Sequence, residues 1–596
     1  MTVYQPPLRD IRFVLDHVVD LATVSSWPGF EHVDPDLTRG VLEEAGRFMS
    51  RVIAPLDRQG DLEGATHHSD GSVTLPASFR SAYAGFVEAG WNAVKSPVEY
   101  GGHGFPAVVA IAVQEMLTSS CMAFSLCPML TQGGALLVEQ YGSEDHKSVY
   151  LEKLVSGAWS GAMVLSEPQA GTDLGAIRTR AEPQDDGTWR ISGTKIFITW
   201  GEHDLTENIV HFVLARTADS PPGTRGLSVF MVPKFLPDSE GRPGIKNDVT
   251  CVSIEHKIGI NASPTCVLAF GERDGAVGYL LGNEHDGLKT MFTMMNDARL
   301  HVAAEGLGIS ERALQLAGAF ASSRVQGRAI GSSEGAGSPI IDHPDVRRNM
   351  LTIRSHTEAM RGLLYDNAAR FDAERHHPDP AAAKRAGDIG RLLTPMAKAW
   401  CTDVGVDMAS LGIQIHGGMG YVEETGAAQL WRDARIGPIY EGTNGVQAID
   451  LVTRKLPTGG GSAVHAYLDE IEEVAQSAAA VGLTGMADNL ATAREALATA
   501  TAWLLDARQP TDRLAGATPY LRMFGMVAGA RYLTAAAVAA HRLKDKGDPD
   551  GYLAAKIGTA AFYTGHILPT AQALLPAVTA GAASLETAGG SATLVP

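Results

Sequence analysis

The stretch Trp189-Arg190-Ile191-Ser192-Gly193-Thr194-Lys195-Ile196-Phe197-Ile198-Thr199 decides the fold class of this chain. It is rich in β-branched and aromatic residues and follows the turn dipeptide Asp186-Gly187, which is typical of a β-strand. Three further runs of the same character follow at 209–216, 227–233 and 266–270, with turn residues between them. Several strands without intervening helices predict an antiparallel barrel or sandwich over residues 159–283.

Helical patterns flank this strand region on both sides. Apolar residues recur at three- and four-residue spacing from Leu37 to Phe48, and the same periodicity runs through 291–316 and 382–413. The chain is therefore predicted to be α+β and mostly α, with a loop at 331–338 and a linker at 457–462. The predicted segments are an N-terminal extension (1–38), an α-helical domain (39–158), the β domain (159–283), a helical bundle (284–456) and an additional α-helical domain (457–596).

Composition excludes several classes of protein. A chain of 596 residues is too long for one core, and 45% apolar with 19% charged residues is ordinary globular composition. The net charge of −18, without long Lys or Arg runs, argues against a nucleic-acid or anionic-membrane surface. No leader-like segment or long apolar run is visible, which predicts a cytoplasmic protein without membrane insertion. The five cysteines form no C-x-x-C pair, so neither a metal site nor a disulfide framework is expected.

One carboxylate stands out as a candidate base. Glu441 lies between Tyr440 and the turn-forming Gly442, ahead of Thr443-Asn444-Gly445. A carboxylate next to a bulky ring can be desolvated, and desolvation makes it a stronger base. The alternative interpretation is a structural carboxylate at the start of a helix.

Two segments in the strand region have the composition of ligand-binding loops. The run Leu165–Gly175 combines Ser166, Gly171 and Thr172, whose hydroxyls and neighbouring backbone N–H groups suit a flavin edge or a phosphate; a plain surface turn is the alternative. Phe197-Ile198-Thr199 suits packing against a planar cofactor, or equally the core of a barrel.

A third segment, Gln414–Tyr421, ends a helical pattern with several glycines. Gly417 and Gly418 would permit close approach of a ligand, although a helix C-cap gives the same pattern. His416 in this segment is interpreted as a core or turn histidine rather than a metal ligand, because no second histidine stands at ligand spacing.

Taken together, the motifs S-E-P-x-A-G-T-D, F-I-T, R-V-Q-G-R, Q-x-x-G-G-x-G-Y and Y-E-G-T-N-G resemble the acyl-CoA dehydrogenase family over residues 36–455. The N-terminal extension and the extra C-terminal helices are similar to the longer subgroup that includes 3-methylmercaptopropionyl-CoA dehydrogenases. The resemblance implies an N-terminal α-helical domain, a central antiparallel β-barrel, a C-terminal helical bundle and an extra helical domain. It also implies FAD as cofactor, bound between barrel and bundle, and a homodimer or possibly a tetramer.

The same resemblance assigns roles to residues. The flavin and its phosphates would be held by Met163, Leu165, Ser166, Gly171, Thr172, Phe197, Ile198 and Thr199. The adenine dinucleotide part would be held by Arg324, Gln326, Gln414, Gly417, Gly418, Thr443 and Gly445. The acyl-CoA would meet Thr172, Asn296, Arg299, Tyr440, Glu441 and Gly442.

The implied reaction is α,β-dehydrogenation of an acyl-CoA thioester to the trans-2-enoyl-CoA. Glu441 would remove the Cα proton as hydride passes from Cβ to flavin N5, and electrons would pass to an electron-transfer flavoprotein. The competing hypotheses are an acyl-CoA oxidase that uses O2 and a non-catalytic flavin-binding protein of the same fold. The chain departs from the family's usual pattern at Gln169, where glycine is common, and this glutamine is expected to alter the loop.

Overall fold

The structure is a computed structural model that describes residues 4–331 and 337–588. Most of the predicted loop 331–338 lies outside the described residues, as do the first three and last eight residues of the two predicted terminal segments. The helices that precede the main sheet are α1 (Leu8–Val14), α2 (Leu21–Ser25), α3 (Pro35–Phe48), α4 (Ala54–Glu63), α5 (Ala77–Glu88), α6 (Ala107–Ser120), α7 (Met122–Tyr141), α8 (Glu144–His146) and α9 (Glu152–Ser156).

All but two of the strands lie in the region that the alternating runs predict. The exceptions, at 66–67 and 73–74, form a short pair within the segment predicted to be α-helical, and each is too short to show as an alternating run. The strands are β1 (Thr66–His67), β2 (Val73–Thr74), β3 (Trp159–Val164), β4 (Arg180–Pro183), β5 (Trp189–Thr199), β6 (Asn208–Thr217), β7 (Leu227–Pro233), β8 (Phe235–Pro237), β9 (Pro243–Lys246), β10 (Val249–Ile254), β11 (Thr265–Phe270) and β12 (Ala276–Leu281). The main sheet has the order β10-β11-β5-β12-β7-β6-β3, and β1–β2 and β8–β9 form two small separate pairs.

Strand β4 gives the main sheet its barrel-like closure. It pairs with β5 on one side and β6 on the other, so that β5, β12, β7, β6 and β4 form a ring of hydrogen-bonded neighbours. Apolar side chains such as Ile191, Val213 and Phe230 fill its interior. The predicted β domain is confirmed. Its pairings are mostly antiparallel as expected, except that β6 runs parallel to both β3 and β4, a feature that the local sequence pattern does not encode.

The region after the sheet is helical, as predicted. Its helices are α10 (Gly287–Ser323), α11 (Pro344–His376), α12 (Pro380–His416), α13 (Ala427–Ala434), α14 (Asn444–Asp450), α15 (Ser462–Ala480), α16 (Thr484–Asp506), α17 (Pro510–Ala515), α18 (Ala517–Lys544), α19 (Tyr552–Phe562), α20 (Pro569–Gln572), α21 (Leu575–Thr579) and α22 (Ala583–Ala588).

Helix α12 shows how the sequence sets the ends of these helices. Asp379 accepts the N–H of Ala381 at 3.0 Å and Pro380 takes the first helical position, where no N–H is needed. Gly417, at φ +59°, ends the helix.

The chain divides into two compact units. One unit comprises residues 45–105 and 116–301 and contains the main sheet. The other comprises the described residues up to Glu44, Pro106–Glu115 and the chain from Val302 onward. In the second unit α10 and α12 cross in close contact at Gly306. A Cβ built on this glycine would lie only 2.0 Å from the Cys401 carbonyl oxygen, so no larger residue fits there. Two glycines, Gly306 and Gly405, therefore set this crossing.

Helix α18 packs inside the helical unit. A Cβ built on Gly525 would lie 2.2 Å from the ring of Trp400 in α12, so the two helices are in direct contact. Arg531 of α18 contacts Glu470 of α15 at 2.9 Å. Within the described residues α18 alone is long and apolar enough to cross a membrane, and 83% of its apolar window is buried in the protein, as in a core helix.

Candidate active site

The loop after β3 is built around the side chain of Glu167. The N–H of Glu167 donates to the Ala170 carbonyl at 3.1 Å, and the N–H of Ala170 donates back at 2.9 Å, which closes a tight turn. The buried carboxylate accepts the N–H groups of Arg178 and Thr179 at 2.7 and 3.0 Å. It also accepts Lys195 Nζ at 2.9 Å, from the middle of β5. Glu167 thus anchors the loop to the barrel.

The electrostatics of this pair explain why it can be buried. Burial alone would raise the pKa of Glu167, but the charge of Lys195 and hydrogen bonds from Thr179 and Arg178 lower that pKa to about 2. Burial lowers the pKa of Lys195 to about 8, although Glu167 opposes the shift. Lys195 also donates to the carbonyls of Leu165 and Leu214, so all three ammonium protons have acceptors.

Sequence reasoning missed both members of this pair. The signal that could have found Lys195 is the alternation of β5, which places positions 189, 191 and 195 on the inward face. Gln169 takes part in the loop: its amide donates to Glu167 at 2.6 Å and to the Ala176 carbonyl at 3.2 Å, two hydrogen bonds that a glycine side chain could not make.

A bulge in β5 presents Phe197 to the surface. Ile198 pairs with Cys266 and Lys195 pairs with Leu268, so Ile196 and Phe197 together face the single residue Val267 of β11. Phe197 adopts a left-handed φ of +58°, and its side chain is 60% exposed. A bulge re-aims a side chain, and strained backbone of this kind is concentrated at functional sites.

The other predicted flavin contacts in this unit differ in exposure. Ile198 and Met163 are buried, and Ile198 belongs to the apolar core of the barrel. Gly171 and Thr172 are exposed at the end of the anchored loop, while Ser166 and Thr199 are half-buried. The N–H of Ile196 donates to the Ser166 carbonyl at 2.9 Å, which ties the loop directly to the bulge.

Arg299 and Asn296 lie together on α10 in the same unit. Arg299 is buried, and its Nη1 donates to Asn296 Oδ1 at 3.3 Å. The guanidinium lies 5.6 Å from the ring centroid of Phe292. The amide of Asn296 thus supports the position of a buried cation.

In the helical unit, Glu441 occupies a strained turn just before α14. Its φ is +55°, and Gly442 follows at +83°. Thr443 caps α14 by accepting the N–H of Val446 at 3.2 Å. A non-glycine residue in the left-handed region costs about 1–3 kcal/mol and persists only where its surroundings hold it.

Two buried side chains hold this turn. Gln447 Nε2 donates to the carbonyls of Glu441 and Gly442 at 3.1 and 3.2 Å. Lys398 Nζ donates to the Gly442 carbonyl and to Asn444 Oδ1, both at 2.9 Å. The backbone of Glu441 is therefore fixed by α12 and α14, while its side chain is only partly buried.

Tyr440 is held by a residue that sequence reasoning missed. Its hydroxyl donates to Glu305 Oε2 on α10 at 2.5 Å. Burial raises the pKa of Glu305 to about 8, and the negative charge of Glu441 acts in the same direction, against Tyr440 and Lys398. The two residues are 135 positions apart in the chain, so no local motif joins them.

The predicted dinucleotide residues of this unit lie at three helix ends, with Thr443 and Gly445 at the start of α14. After α10, Arg324 Nη2 donates to Gln326 Oε1 at 3.4 Å. Gln414, in the last turn of α12, is exposed, as are Gly417 and Gly418 after it. A Cβ built on either glycine would meet no atom within 4 Å. His416, the last residue of α12, is buried and donates through Nδ1 to the Gly412 carbonyl at 2.7 Å.

Sequence models of four protein-family domains match this chain. They are described as the N-terminal domain (36–158), middle domain (162–272) and C-terminal domain (285–456) of acyl-CoA dehydrogenase, and an acetyl-CoA dehydrogenase C-terminal-like domain (467–588).

Individual relatives extend the match to nearly the whole chain. A 3-methylmercaptopropionyl-CoA dehydrogenase from Ruegeria pomeroyi is 45% identical, covering 98% of this chain and 99% of its own. Among solved structures, one is a chain from a structure described under the electron transferring flavoprotein of Acidaminococcus fermentans. It is 29% identical with a TM-score of 0.57, and the match covers 70% of this chain and 97% of that chain. Caenorhabditis elegans ACDH-11, solved with C11-CoA, shares the fold with a TM-score of 0.74 at 21% identity, covering 95% of this chain and 92% of its own.

Proposed function

The chain belongs to the acyl-CoA dehydrogenase family of flavoprotein oxidoreductases, and we propose that it binds FAD and oxidises an acyl-CoA thioester to the trans-2-enoyl-CoA. The observation that carries the proposal is the turn at Glu441. Glu441 has a left-handed backbone conformation, and the buried side chain of Gln447 donates to its carbonyl. This strained and fixed backbone gives the Glu441 carboxylate a defined position.

The residues present fit a flavin. Phe197 offers an exposed aromatic face at the bulge, and Gly171 and Thr172 expose backbone and hydroxyl groups on a loop that Glu167 anchors. At the end of α12, Gln414, Gly417 and Gly418 expose an amide and two unobstructed backbone segments. When bound, FAD supplies the hydride acceptor at N5.

We assign the remaining predicted cofactor contacts from their motifs. Met163, Leu165, Ser166, Ile198 and Thr199 belong to the flavin half, and Arg324, Gln326, Thr443 and Gly445 to the adenine dinucleotide half.

In the proposed mechanism Glu441 removes the Cα proton of the thioester. A thioester Cα–H is weakly acidic, so the base must be well placed and shielded from water as the proton moves. The backbone N–H of Glu441 donates to the thioester carbonyl and stabilises the negative charge that develops there. Tyr440 and Gly442 flank the substrate at this point, and Thr172, Asn296 and Arg299 complete the proposed set of contacts.

The test of this proposal is Glu441→Gln in the FAD-loaded protein. The variant should retain flavin absorbance but lose bleaching by acyl-CoA under anaerobic conditions, because the amide cannot accept the Cα proton. Glu473→Gln, an exposed glutamate on α15, is the matched control and should bleach normally. Normal bleaching by the Glu441→Gln variant would overturn the assigned role.

The acyl group and the electron acceptor are separate parts of the proposal. The relative from Ruegeria pomeroyi is named for 3-methylmercaptopropionyl-CoA, and this supports a short acyl group that tolerates a thioether. A bleaching series with 3-methylmercaptopropionyl-CoA, butyryl-CoA and longer linear thioesters should show the strongest response at the short end. A preference for long chains would contradict this choice of substrate.

We propose an electron-transfer flavoprotein as the acceptor, since the solved structure from Acidaminococcus fermentans is described with that protein. Reoxidation of the substrate-reduced protein should be rapid with an electron-transfer flavoprotein and slow with O2. Rapid turnover with O2 alone would instead identify an acyl-CoA oxidase. We also propose that the protein is a homodimer, which sedimentation of the FAD-loaded protein would test.

A further inference from the structure

Glu305 is a buried carboxyl group in which only one of the two oxygens has a hydrogen-bond partner among the described residues. It is 2% exposed on α10, and the hydroxyl of Tyr440 is the partner of its Oε2. Its Oε1 is buried and has no hydrogen-bond partner among the described residues. A buried ionised carboxylate with a bare oxygen carries a large desolvation cost, whereas a neutral acid carries a much smaller one.

The neighbours of Glu305 argue in the same direction. The charged and titratable groups that face it are Tyr440, Glu441 and Lys398. Lys398 is the cation among them, but its ammonium already donates to the Gly442 carbonyl and to Asn444. Two adjacent carboxyl groups do not both ionise readily, because each charge opposes the other.

We propose that Glu305 is a positioning residue of the proposed reaction: as a neutral acid it fixes Tyr440 beside the base and leaves Glu441 as the ionised carboxylate of the pair. This inference rests on the proposed role of Glu441 and adds a residue to it. The more exposed Glu441 keeps the negative charge, and the fully buried Glu305 keeps the proton. Burial raises the pKa of Glu305 to about 8, in agreement with a proton held at neutral pH.

The first test measures protein stability and needs no turnover. The folded-state pKa of Glu305 is raised from its usual 4.5 to about 8, so the folded protein retains a proton that the unfolded chain releases between these values. Wild-type stability should therefore fall relative to Glu305→Gln as pH rises through this window, and the difference should level off above it. A constant difference in melting temperature from pH 5 to pH 9 would show that Glu305 is not held neutral.

The second test follows flavin bleaching by butyryl-CoA in the FAD-loaded protein as a function of pH. The wild-type rate should show an inflection near pH 8, where Glu305 ionises beside the base, and Glu305→Gln should lack it. At pH 6.5 Glu305→Gln should keep the rate within about threefold, while Glu305→Leu, which cannot accept the Tyr440 hydroxyl, should lose about tenfold or more.

The outcomes separate this inference from the proposed function. An inflection near pH 8 that persists in Glu305→Gln, or equal rates for the Gln and Leu variants at pH 6.5, would overturn the positioning role and leave the role of Glu441 intact. Bleaching by Glu441→Gln would instead overturn the base assignment, whatever the melting series shows for Glu305.

Discussion

The ammonium of Lys195 lies 2.9 Å from Oε1 of Glu167, and both side chains are buried in the β domain. The pair joins the middle of β5 to the turn that carries Ser166, Gly171 and Thr172. Removing one partner of a buried pair leaves an uncompensated charge, which costs more than the intact pair contributes. The position of the proposed flavin loop therefore depends on a salt bridge that takes no part in the chemistry.

Lys195→Met should destabilise the protein by about 3–5 kcal/mol, because Glu167 would remain buried without its cation. Denaturant unfolding measures the loss, and FAD content after purification should fall with it. The surface variant Lys289→Met is the control and should change stability by less than about 0.5 kcal/mol. Adding Glu167→Gln to Lys195→Met should recover part of the loss; a double variant worse than both single ones would contradict this explanation.

The same pair predicts how stability responds to acid. The folded-state pKa of Glu167 is about 2, below the usual 4.5, so its contribution is fully present above pH 4.5 and is lost as pH falls toward 2. The stability difference between wild type and the Glu167→Gln, Lys195→Met double variant should shrink over that window. Thermal unfolding at a series of pH values measures it, and a difference that stays constant down to pH 2 would refute the assignment.

Phe197→Gly should stabilise the flavin-free protein by about 1 kcal/mol, because glycine adopts a positive φ without strain and an exposed ring contributes little. The same variant should bind FAD more weakly, since the proposed stacking face is lost. Trp200→Gly is the matched control: Trp200 also has a positive φ, but its ring is fully buried, so this variant should lose about 3–5 kcal/mol. Tighter FAD binding by Phe197→Gly would contradict the assignment of Phe197.

Gly442→Ala should distort the turn that carries the proposed base, Glu441. The φ of Gly442 is +83°, and a Cβ there would lie 2.7 Å from Gln447 Nε2, which holds the Glu441 carbonyl. We expect a loss of about 1–2 kcal/mol in stability and a larger loss in the rate of flavin bleaching. Gly558→Ala on α19, where a Cβ meets no atom within 4 Å, should be neutral or stabilising by up to about 1 kcal/mol.

Sequence alone predicted the elements and the motifs, because both depend on local patterns. Alternation in β5 predicts a strand, and Tyr440-Glu441-Gly442 predicts a shielded base at a turn. The direction of pairing between β3 and β6 depends on how the chain crosses between them, so no strand sequence shows it. The bulge at Phe197 could not be predicted from β5 alone for a similar reason. A bulge is defined by the register with the partner strand, here the single residue Val267 of β11.

The residues that sequence reasoning missed are those that support the motif residues. Lys195 and Glu305 each lie far along the chain from the turn that they hold, and each is charged or titratable at a buried position. Burial of a polar side chain is visible only once the fold places it. The inward position of Lys195 on an alternating strand could have identified it from sequence, whereas Glu305 has no comparable signal.

The contact between Gly525 and Trp400 has a consequence for shorter proteins with this architecture. The indole of Trp400 rests on the backbone of α18, and Asp366 on α11 accepts the hydroxyl of Tyr532 from the same helix at 2.7 Å. A chain that ended before α15 would expose this tryptophan and remove one of the donors to the largely buried Asp366, leaving Arg370 of α11 at 2.8 Å. The helices from α15 onward therefore cannot be removed without exposing apolar surface. A shorter version of this enzyme would need polar residues in place of the apolar ones that α11 and α12 now bury against α18.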